Sequence, residues 1–266
     1  VSFLAEGALL DGTLEVEDFQ QNRAHHGFAA ALGDVIISSV ASDAEVEDGS
    51  APPRVGIAAY DAGGERIGEV ETCTDLHGEA FSGSYLLAGC KEGVIAVSEG
   101  DEGAEFTMLP YPDSFPEAKT GTLLGSSAMQ IFLGDYGRES VVIIDPTTEP
   151  YFTRVELPFR RVDFALDPAK PQYAYILTED GTLHRLNMLS AEIEASASIT
   201  QPYSMDGHWR DPRPRLTLAG DRIALTDPLE SVVRLVDPVS LEETASFPVE
   251  GLPYNILAVG GSGLTH

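Results

Sequence analysis

Residues 214–250 run PRLTLAGDRIALTDPLESVVRLVDPVSLEETASFPVE. Four short apolar segments follow one another there, parted by turns of Gly, Asp, Pro and Ser. They are Pro214-Arg215-Leu216-Thr217, RIALTD from Arg222, SVVRLVDP from Ser231 and EETASFPVE from Glu242. None has the length or the 3.6-residue period of a helix, and segments of this size between such turns are the signature of β-strands. Asp237-Pro238 suits the tight link between the third and fourth strands.

The same unit recurs upstream. Its first strands open at His26-Gly27-Phe28-Ala29, His77-Gly78-Glu79-Ala80, Thr120-Gly121-Thr122-Leu123 and Val162-Asp163-Phe164-Ala165. Second strands follow as DVIISSVA, YLLAGC, AMQIFLGD and YAYILTED, and third strands as RVGIAAYD, GVIAVSE, SVVIIDP and GTLHRLN. Fourth strands are ERIGEVET, AEFTMLP, YFTRVELP and EIEASAS. Four strands every roughly 40–50 residues is the period of a propeller blade. The expected fold is therefore all-β, a β-propeller of four-stranded antiparallel blades. Five blades are complete, and the intact ring is expected to hold about seven or eight. VSFLAEGALL and GTLEVEDF at the start resemble the outer part of a preceding blade, and Pro253-Tyr254-Asn255-Ile256 the first strand of a further one. Residues 1–266 are accordingly expected to be a single propeller domain lacking N-terminal blades. The competing fold is an irregular pair of β-sandwiches.

Composition narrows the function. Of 266 residues, 43% are hydrophobic and 22% charged, so a core can be buried. No run approaches the roughly 18 apolar residues of a membrane helix, so membrane insertion is not expected. The net charge of −27, from 43 acidic and 16 basic residues, argues against nucleic acid, which a like-charged surface repels. The same charge concentrates cations near the surface, although acidity alone also serves solubility. No G-x-S-x-G, H-E-x-x-H, Walker loop or G-x-G-x-x-G after a strand is present, so no catalytic residue is assigned.

The six histidines are His25, His26, His77, His184, His208 and His266. His26 and His77 stand at one position of consecutive units, just before the first strand. In a propeller that position lies at a mouth of the central channel, where two imidazoles at equal height can share an ion. A zinc ion wants about four N, S or O ligands, so further groups must converge. Candidates are His208, in Asp206-Gly207-His208-Trp209-Arg210-Asp211, and His266 beyond Gly260-Gly261-Ser262-Gly263. Strand alternation lets only one of His25 and His26 point inward, and the repeat favours His26. Asp75 and Glu79 flank His77 as ligands or as groups that orient an imidazole. His184 lies inside a third strand and is expected to be structural. Cys73 and Cys90 bracket His77, either as a disulfide pinning its loop in an oxidising compartment or with Cys73 as a thiolate ligand.

Three stretches carry a family resemblance: Arg23-Ala24-His25-His26-Gly27, Leu76-His77-Gly78-Glu79-Ala80 with Gly89-Cys90-Lys91-Glu92-Gly93, and Leu252-Pro253-Tyr254-Asn255 through His266. They resemble the periplasmic zinc chaperones of the AztD type, β-propellers that partner a zinc ABC importer. The resemblance implies zinc as the bound metal, a periplasmic location and hand-over to the importer's solute-binding protein. It implies a binding protein and not an enzyme, and a monomer is expected. It supports His26, His77 and His266, and His208 less strongly. Such proteins also carry a His- and Asp-rich segment and further blades N-terminal to the stretch matched here. Two other functions compete: a metal-dependent, lactonase-like propeller hydrolase, and an interaction propeller whose metal is incidental.

Overall fold

The computed structural model describes residues 1–47, 49–101 and 103–258. Five four-stranded antiparallel sheets, each a simple meander, follow one another along the chain. A two-stranded sheet, Ser2–Leu4 paired with Val16–Asp18, precedes them. The chain forms two compact units, one of residues 1–80 and 84–122, the other of residues 81–83 and from 123 onward.

In the first unit, one sheet runs Ala29–Leu32, Val35–Ala41, Arg54–Tyr60 and Arg66–Thr72. The next runs His77–Ser82, Tyr85–Gly89, Gly93–Gly100 and Gly103–Pro110. The middle strands are almost continuously apolar and buried on both faces, as in Leu86, Leu87, Ala88, Val94 and Val97. A strand needs that pattern when a neighbouring sheet covers each face. Ile37 and Ile57 of the first sheet, with Phe28 just before it, pack with Leu86, Ile95 and Val97 of the second in one core cluster.

The second unit holds three more sheets, whose first strands are Leu123–Leu124, Arg161–Leu166 and Leu216–Ala219. Their facing sides close two further clusters, one around Leu133, Ile143 and Ile176, the other around Leu177, Ile223 and Leu225. Outer strands alternate instead: Glu192–Ser198 is exposed and half-buried in strict turn. The links from third to fourth strands use the expected side-chain chemistry. Asp145, Asn187 and Asp237 each accept backbone N–H bonds from two or three residues ahead, at 2.8 to 3.3 Å.

Two expectations need correction. The opening stretch is not all strand, because Glu6–Leu10 form a short helix between the two paired strands. In EGALL, Glu, Ala and Leu are good helix formers and no polar alternation marks a strand, although Gly7 is a poor helix residue. The further strand expected from Pro253 is not formed: residues 252–258 pair with no strand. Ile256, Leu257 and Ala258 instead line an apolar hollow with Leu124, Phe164 and Leu218.

His184 takes its expected structural place. It is 4% exposed, and its ring nitrogens meet Thr178 Oγ1 at 3.0 Å and Ser196 Oγ at 2.7 Å. Burial holds this imidazole below the ordinary value of 6.5, against the pull of Asp180. The unfolded chain therefore takes up the proton first. The associated stability is intact above pH 6.5 and is lost as pH falls through the lower native value. Thermal melts should thus decline as pH falls below 6.5, with a flatter decline in His184→Gln. Identical pH profiles for the two proteins would contradict this.

Candidate metal centre

His26 and His77 are brought together. Their ring centroids lie 5.2 Å apart with planes at 63°. Both side chains are exposed and line one open hollow of about 160 Å³ with Gly27, Phe28, Leu76, Gly78 and Glu79.

Each ring is set by its own turn. His77 begins its strand, between Asp75 (φ 54°) and Gly78 (φ 73°), two left-handed positions that bend the chain sharply. A Cβ at Gly78 would lie 2.6 Å from the Gly121 carbonyl oxygen, so the position combines a left-handed backbone with no room for a side chain. Gly121 O also receives the Nδ1–H of His77 at 2.6 Å. A carbonyl only accepts, so this bond places the proton on Nδ1 and leaves the Nε2 lone pair free. A carbonyl behind an imidazole is a recurrent arrangement around histidine metal ligands. Gly78→Ala should cost about 1–2 kcal/mol of stability from its backbone alone. It should also displace Gly121 from His77 and weaken metal binding. A melt and a zinc titration of that variant check both effects.

On the other side, Arg54 Nη1 donates to the His26 carbonyl at 3.1 Å. Lys119 Nζ similarly donates to the Asp75 carbonyl at 2.8 Å. The disulfide Cys73–Cys90 closes the base of the His77 turn, and both cysteines are fully buried. This settles the choice left open by the sequence: the Cys73 sulfur is bonded to Cys90.

The other candidates lie elsewhere. His25 has both ring nitrogens engaged, Nδ1 with Arg23 O at 2.7 Å and Nε2 with Ser39 Oγ at 2.8 Å. It packs where a Cβ at Gly27 would sit, 2.5 Å from that Nε2, so it braces the turn from below. Asp75 faces Lys119 at 4.0 Å. His208 lies in the second unit, stacked on Trp209, with Nδ1 accepting the Arg210 N–H at 3.1 Å. His266 lies outside the described residues. Among the described residues, no group of three or more His, Cys, Asp or Glu is gathered to hold a metal. What is assembled is a pair of imidazoles, with Glu79 among the residues lining the same hollow. The Gly121 carbonyl, Arg54 and Lys119 carry no signal in the sequence, because backbone acceptors and braces follow no spacing rule.

No protein-family model matches the chain. The curated zinc chaperone AztD of Citrobacter koseri is 39% identical over 263 residues, 99% of this chain and 62% of the relative. The crystal structure of C. koseri AztD superimposes with a TM-score of 0.91 at 37% identity, over 100% of this chain and 70% of that one. The chain belongs to the AztD family. It spans a little under two thirds of the curated AztD sequence. The relative is named as a chaperone and not as an enzyme. A β-propeller domain, that of Cps50 (Swd1) from Myceliophteria thermophila, matches at a TM-score of 0.50 and 15% identity. It covers 86% of this chain and 74% of its own, and supports the fold alone. With the AztD match and the serial four-stranded sheets, the fold is a β-propeller.

Proposed function

We propose that this chain is the metal-holding part of a zinc metallochaperone. His26 and His77 would hold the ion, with Glu79 or His266 among the groups completing its shell. The observation that carries this reading is the imidazole pair at 5.2 Å, with His77 Nδ1 already committed to a carbonyl. Charge supports it: residues 1–122 contain 23 acidic and 5 basic side chains, so the unit bearing the pair draws cations strongly. His25 and His208 fall outside the proposed ligand set, because their rings serve the local structure.

The ion would be cargo, received and passed on to the periplasmic solute-binding protein of a zinc ABC importer. A buried disulfide fits that oxidising compartment. The chain would act as a monomer, as one propeller domain within a longer ring. Among the described residues no helix is long and apolar enough to cross a membrane. A calcium-dependent hydrolase site would be built from carboxylates and amides, which an imidazole pair does not resemble.

Competitive titration with a zinc chelator tests the proposal. Stoichiometric zinc binding is expected, weakening at acid pH, since only a neutral imidazole ligates. Binding no tighter than that of an unrelated acidic protein would refute it.

A further inference from the structure

Trp209 is the one tryptophan of the chain, and it stands 68% exposed. It is also held in place. The His208 ring stacks on it with centroids 5.6 Å apart and planes 29° apart, and the Arg210 guanidinium lies 4.6 Å from its ring centre. The loop beneath is rigidly built. Arg213, itself buried, donates to three loop carbonyls: Ser204 at 3.0 Å, His208 at 3.1 Å and Asp206 at 2.9 Å. Asp211 accepts the His208 N–H at 2.7 Å.

Both carboxylates of this loop are already engaged. Asp206 is neutralised by Arg160 at 2.7 Å, and Asp211 is turned inward onto the loop's own backbone. Arg210 has no carboxylate partner among the described residues. The loop thus presents an aromatic ring and an unspent positive charge on a chain of net charge −27. Tryptophan and arginine dominate the energetics of protein interfaces, and a preordered prong loses little entropy on docking. The net charge repels an acidic protein, whereas the Arg210 guanidinium beside an exposed indole would attract one.

We propose that the Asp206–Asp211 loop is the docking prong for an acidic protein partner. That partner presents an apolar pocket for the indole, rimmed by carboxylates for Arg210. Resting on the hand-over reading above, the inference takes this partner to be the zinc acceptor. The loop then governs docking, and the imidazole pair governs retention of the metal.

The full chain, Trp209→Ala, Trp209→Phe and Arg210→Glu are compared for affinity to the importer's solute-binding protein and, separately, for zinc affinity. Both residues are exposed, so the fold is expected to survive, and melting curves check it. Trp209→Ala should weaken partner binding at least about 10-fold, and Arg210→Glu by as much, with zinc affinity unchanged. Phenylalanine should restore part of the loss. With 5-fluorotryptophan incorporated, the single ¹⁹F resonance should shift when the acceptor is added. Equal partner affinity in all four proteins would overturn the prong while leaving hand-over intact. Absence of binding by the unmodified chain would overturn hand-over and the prong with it. Self-association that Trp209→Ala abolishes, seen by sedimentation, would replace the acceptor with a second copy and also overturn the proposal.

Discussion

Alanine at His77 is expected to lower zinc affinity by well over 100-fold while leaving the fold in place. Losing a group that merely orients a metal ligand costs about 10–100-fold. In the proposed site, removing His77 would delete a ligand outright, along with the Gly121 hydrogen bond that presents its Nε2. The side chain is exposed, so little packing is lost. His26→Ala should act similarly, and the double variant should be little worse than either single one, because in the proposed site the imidazoles would serve one ion. His25→Ala separates ligation from support. With both nitrogens bonded within the fold, its loss should reduce stability more than affinity. Competitive zinc titrations and thermal melts of the four variants provide the comparison. Zinc binding unaffected by His77→Ala would remove the pair from consideration.

Replacing Cys73 and Cys90 together by alanine is expected to cost about 3 kcal/mol, the chain-entropy value for a loop of this size. The bond joins residues 17 apart inside the core cluster that also holds Leu76. In a chain this long the loss corresponds to a melting point lower by roughly 6–12 °C. Zinc affinity should fall with it, because the closed loop contains His77 and its two left-handed neighbours. Reductant should mimic the variant once the protein is unfolded enough to expose the bond. A doubly substituted protein with unchanged melting and zinc affinity would show that the turn is held without the disulfide.

Much of this architecture was legible in the sequence, for identifiable reasons. Middle strands such as GVIAVSE and SVVIIDP are buried on both faces and so appear as continuous apolar runs. The repeat then aligned His26 with His77, and the structure brings their rings to 5.2 Å. Short-range preference was less informative at the ends. EGALL contains no polar alternation to distinguish helix from strand, and residues 252–258 are apolar without being paired. The orientation of each imidazole was hidden, because it depends on a carbonyl 44 residues away for His77 and on a serine 14 residues away for His25. Side chains that look alike in sequence, His25 beside His26, differ because one faces Ser39 and the other the open hollow.

The most direct test of the central claim is anomalous diffraction at the zinc edge from crystals of the zinc-loaded protein. A peak is expected within about 2.0–2.1 Å of an imidazole nitrogen of both His26 and His77. A zinc peak coordinated elsewhere, with this pair free of metal, would contradict it.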